Sequence, residues 1–161
     1  MSRSRPTVFG FTALDDAELL AQMAMVQAGG TGWINVGPVI EEEHLPPPPG
    51  PFAFLGGSTH QVPVITWLPG KHPDGRTAKP TTVGLQHATG PRVVSRLRDL
   101  GLPLPDGWKV TQDHPRRGLV AEVPADADNR AVIGWLLRAG AAVCQVESTG
   151  RWEAAVHPGL E

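Results

Sequence analysis

Along residues 81–157 the spacing of apolar side chains alternates between period two and helical period in a fixed succession: strand, helix, strand, strand, helix, strand. Residues 81–87 alternate through Val83 and Leu85. The spacing then predicts a helix over 90–100, with Pro91 in its first turn, Val93, Val94, Leu97 and Leu100 on one face and Gly101 as its stop. Residues 108–113 and 119–123 flank His114-Pro115-Arg116-Arg117-Gly118, a turn that predicts an antiparallel hairpin. Asp126 or Asp128 caps a long helix reaching about Cys144, with Val132, Trp135, Leu136, Ala139 and Val143 inward. Ser148-Thr149-Gly150 turns the chain into a last strand over 151–157, where Trp152, Ala154 and Val156 share a face.

This βαββαβ succession is that of a ferredoxin-like α+β sandwich, whose antiparallel sheet has the order 4-1-3-2. One sheet face is apolar and the other carries Thr82, Gln86, Lys109, Thr111, Glu122 and Glu153. The N-terminal 70 residues add a helix over 15–28, with Asp15 and Glu18 in a capping-box pattern and Gly29-Gly30 at its end. Strands follow over 33–40 and 62–68, with a weaker apolar run at 52–55. This layer is expected to cover part of the polar face, with extension of the sheet as the alternative. Glu41 to Glu43, His44 and the four prolines from Pro46 predict an extended polyproline connector over 44–51. A second polar loop at 71–80 joins the two parts of what reads as a single domain over 1–161, and residues 158–161 read as a tail with a possible vector remnant.

The 14 Lys plus Arg against 16 Asp plus Glu leave a formal charge of −2, without the basic footprint of a general nucleic-acid binder. The polar sheet face also lacks the aromatic stacking platform of RNA-binding sheets, because parity places the five Trp in or at the edge of the core. One cysteine, Cys144, permits no intrachain disulfide. No apolar run approaches a membrane span, so the expected location is cytoplasmic, and the composition suits a GC-rich bacterial genome. Self-association through a sheet face or a helix is expected, the run Ala139-Gly140-Ala141-Ala142 permitting close helix approach.

In the expected topology three loops share one rim of the sheet. The first supplies Gln86, His87, Thr89, Gly90 and Arg92, the second Asp113, His114, Arg116 and Arg117, and the third Ser148, Thr149 and Arg151. Arginine forks beside a helix start favour an anion. The leading expectation is a non-catalytic binding or interaction module for an anionic small molecule or an acidic partner segment. The alternative is a small acid/base enzyme in which His87 or His114 transfers protons, oriented by Asp113. Each residue also has a plainer use: His87 at the core's edge, His114 as a solvated turn residue, and Asp113 bonded to its own hairpin. No nucleophile elbow, Walker loop or dinucleotide fingerprint is present, so no cofactor is expected. His87, Asp113 and His114 offer two nitrogens and an oxygen, but Asp113 and His114 are neighbours whose side chains diverge, so no metal is expected either.

Overall fold

The computed structural model describes residues 4–46, 60–70 and 79–159. Seven strands form one sheet: β1 (Thr7–Thr12), β2 (Trp33–Pro38), β3 (Val64–Leu68), β4 (Thr81–Gln86), β5 (Lys109–His114), β6 (Gly118–Val123) and β7 (Arg151–His157). Three α-helices accompany it, α1 (Ala17–Gly29), α2 (Val93–Asp99) and α3 (Asn129–Val143). Among the described residues no helix is long and apolar enough to cross a membrane. The proline-rich connector beyond Pro46, the run at 52–55, most of the 71–80 loop and the last two residues lie outside the described residues.

The order is β1-β7-β2-β3-β4-β6-β5, with every neighbouring pair antiparallel. This corrects the 4-1-3-2 expectation. The β4-β6-β5 part matches it, but β7 does not pair with β4. That edge of β4 is taken by β3, whose Val64 to Leu68 pair with Gln86 to Thr82. Helix α3 has 15 residues, about 22 Å, and this length carries the chain across the sheet to insert β7 between β1 and β2. The sheet therefore consists of two β-α-β units, β1-α1-β2 split by β7 and β4-α2-β5 split by β6, with β3 joining them.

All three helices feed one core. Leu19, Met23 and Val26 of α1 join Val93 and Leu97 of α2, seven apolar residues of α3 from Val132 to Val143, and the inward strand residues Ile34, Ile65, Trp67, Leu85 and Ala154. Gly140 lets α3 press onto the sheet: a Cβ there would lie 3.2 Å from Ile65 Cδ1 and 3.3 Å from the Trp152 ring. The described elements of the N-terminal part extend the sheet, and α1 lies beside α3, joined through Gln27 to Asn129 and through Asp16 to Arg130. The described residues thus leave the second face open. Thr66 Oγ1 donates to Asn35 there, and Asn35 in turn bonds to His157, whose ring stacks on Trp33. Trp33 is 37% exposed and lies on the outer face, which corrects its placement in or at the edge of the core: the inward parity of β2 belongs to Ile34, Val36 and Pro38.

Local signals otherwise translate directly. Asp128 accepts from Ala131 N at 3.0 Å and caps α3, and Gly30 closes α1 with φ +70°. Asp16 rather than Asp15 precedes α1, and neither side chain makes a cap hydrogen bond, since Asp15 pairs back to Thr12 in the turn. Strand β1 is unanticipated by the pattern reading, its Gly10 and its two edge-exposed residues Thr7 and Val8 diluting the alternation that Phe9 and Phe11 carry.

Candidate functional site

The loops after β4 and β5 and the turn into β7 do lie at one end of the sheet, as antiparallel pairing requires. They do not form one cluster. Three strand spacings, about 14 Å, separate β7 from β4. Ser148 and Thr149 serve the turn: Ser148 Oγ accepts from Gly150 N, and Thr149 Oγ1 donates to Val39 O at 2.9 Å while accepting from Arg151 N. The Arg151 guanidinium lies over Gly10 of β1. These three residues belong to the β2/β7 side, away from His87. A link the sequence does not advertise is Gln145, which donates to Ala88 O at 3.2 Å and so ties the end of α3 to the β4–α2 loop.

On the β4 side, His87 is fully buried, at 0% exposure. It continues the inward parity of Val83 and Leu85. Thr89 N donates to its Nδ1 at 3.2 Å, so the neutral ring carries its proton on Nε2, which is buried and makes no hydrogen bond with a described residue. Burial pushes the His87 pKa below 6.5; the Asp113 charge opposes this, while Arg96 and His60 reinforce it.

Asp113 does something neither expectation contained. Its two carboxylate oxygens accept from Val93 N at 3.1 Å and Val94 N at 3.3 Å, capping α2 from another strand. A β-bulge makes this possible. Val110 faces Ala121 but Gln112 faces Val120, so Thr111 is an extra residue and the parity of β5 reverses beyond it. Asp113 thereby takes the helix side that unbroken alternation assigns to Gln112 and His114. The capped turn begins at Arg92, a non-glycine residue at φ +60°, a left-handed conformation costing on the order of 1–2 kcal/mol.

His114 is turned away and engaged locally, its Nδ1 accepting from Arg116 N and Arg117 N, both at 3.1 Å. Gln112 Nε2 donates to Arg117 O and Gly118 O across the same tip. Each member of the expected acid/base trio is engaged locally: His87 is enclosed, Asp113 holds a helix and His114 holds a turn. Arg92, Arg116, Arg117 and Gln86 are exposed, and Thr89 and Gly90 are half-buried around them. Among the described residues no group of three His, Cys, Asp or Glu is placed to hold a metal ion.

The described residues also form a groove of about 510 Å³, but it lies between the β1–α1 turn and α3, far along the sheet from His87. No known protein family, curated protein or solved structure matches the chain.

Proposed function

We propose that this protein is a non-catalytic interaction module whose arginine-bearing rim, formed by the β4–α2 loop and the β5–β6 hairpin, takes an acidic segment of a partner. The observation that carries this reading is the engagement of Asp113. Its carboxylate is bound by the first turn of α2, while Arg92, Arg116 and Arg117 stand exposed and make no ion pair with a described residue. An acidic segment can meet guanidinium forks on two loops at once. A small anion would find the α2 amides already occupied by the chain's own carboxylate. The same hydrogen bonds favour binding over acid/base catalysis, since His114 Nδ1 and both Asp113 oxygens serve the backbone.

A thermal-shift series with oligoglutamate, inorganic phosphate and small carboxylates tests this. Oligoglutamate should raise the transition of the wild type in low salt, less so as salt is added, and Arg116→Ala with Arg117→Ala should abolish the shift. A shift by phosphate alone would move the reading to a small-anion site. The absence of a shift with every anion would remove the anion reading altogether.

A further inference from the structure

The groove between the β1–α1 turn and α3 is unrelated to the arginine rim and has a chemistry of its own. Its floor is apolar, formed by Trp152 and Leu137, which are 6% and 5% exposed, with the exposed Ala141 beside them. Leu14 stands at its margin with 99% of its surface in solvent, an unusual position for a leucine, and no described residue covers it. Gly134 of α3 lines the groove, and a Cβ built there meets nothing within 4 Å, so the space over it is open and not a close approach to another element.

Two arginines of α3 line the same groove. Arg130 is already engaged with Asp16, at 3.5 Å. Arg138 uses only Nε, which donates to Gly134 O at 3.2 Å, and its two terminal nitrogens make no hydrogen bond with a described residue. The groove therefore combines an apolar floor, open space over Gly134 and a guanidinium whose terminal nitrogens no described residue engages. Its volume falls within the range of small-molecule sites, roughly 300–1,000 Å³.

We propose that this groove binds an aliphatic monocarboxylate, its chain lying over Gly134 against Trp152, Leu137 and Leu14, its carboxylate on the terminal nitrogens of Arg138. The charge balance selects the head group: with Asp16 paired to Arg130, the remaining charge in the groove is positive. The apolar floor of Trp152 and Leu137 selects the tail. A carboxylate accepts the two parallel N–H bonds that a guanidinium presents, whereas an alcohol of the same chain length does not.

Titrating octanoate into the full ¹⁵N-labelled chain tests the assignment. Shifts should concentrate at the amides of Leu14, Gly134 and Arg138 and at the Trp152 indole. Affinity should rise about two- to fourfold per methylene from hexanoate to octanoate, depending on how fully the chain is covered. Gly134→Leu fills the gap and should weaken octanoate at least tenfold, with a melting temperature no lower than that of wild type because leucine is the better helix former. Arg138→Gln should weaken octanoate about threefold in low salt and leave octan-1-ol unchanged. The proposal is overturned if octanoate produces no shifts, if its shifts map elsewhere, or if Gly134→Leu binds it as wild type does. An equal loss of octanoate and octan-1-ol in Arg138→Gln would overturn the role given to the guanidinium.

Discussion

Replacing Asp113 with alanine should be among the more damaging single changes on the surface of this protein, although hairpin-tip aspartates are usually dispensable. The substitution removes both acceptors of Val93 N and Val94 N. The Val93 side chain is itself fully buried, so water reaches its freed N–H poorly. Loss of a capping side chain costs about 0.5–2 kcal/mol, and bonds to a charged acceptor stand at the upper end of the scale, so about 2–3 kcal/mol is expected for Asp113→Ala. Asp113→Asn keeps one acceptor oxygen and should cost about 1 kcal/mol. In a chain of this size the alanine variant should melt roughly 5–10 °C lower. Urea unfolding followed by tryptophan fluorescence measures the loss, and hydrogen exchange locates it: the amides opening α2 should lose protection while those of α3 keep theirs. His114→Ala is the matched control. Its ring serves two exposed turn amides that water can satisfy, so it should cost about 1 kcal/mol or less. The reasoning fails if Asp113→Ala lies within about 0.5 kcal/mol of wild type, or if His114→Ala is equally damaging.

Three further outcomes follow from the same geometry. Burial holds the His87 pKa below the 6.5 of an unfolded chain, so the unfolded state takes up a proton first as pH falls; stability should be level above about pH 6.5 and decline below it, by at most about 1.4 kcal/mol per pH unit, until the folded-state value is reached. His87→Asn, which retains an acceptor for Thr89 N, should flatten that decline in urea titrations between pH 5 and pH 7.5; an unchanged slope would reassign it to other groups. Gly118→Ala should cost about 3 kcal/mol or more or prevent folding, because Gly118 sits at φ +82° and a Cβ would lie 2.5 Å from Leu85 O; a variant with wild-type midpoint would contradict the β4–β6 packing. Asp128→Ala should cost about 1 kcal/mol through loss of the α3 cap, measurable as a lower urea midpoint with unchanged slope.

Much of the local architecture can be read from the chain alone. Alternation places Val83, Leu85, Trp152, Ala154 and Val156 inward, helical spacing marks Val132, Trp135 and Leu136, and Asp128 and Gly30 stand where the helices begin and end. These follow from periods of 2 and 3.6 residues and from capping chemistry, all of which act over a few positions. The neighbour of β4 was decided elsewhere. β7 and β3 both present an apolar alternating face, and no local signal ranks them; the sheet resolves it because β3 takes the edge of β4 and α3 is long enough to carry β7 past. The site turned on one residue. The bulge at Thr111 leaves no mark in composition or periodicity, yet it rotates Asp113 toward α2 and His114 away from it, so the residues that share a rim in sequence terms have separate partners in space. Register depends on pairing between distant segments, and side-chain direction depends on register; chemistry that needs two side chains to meet is therefore a property of the folded sheet and not of the order of residues.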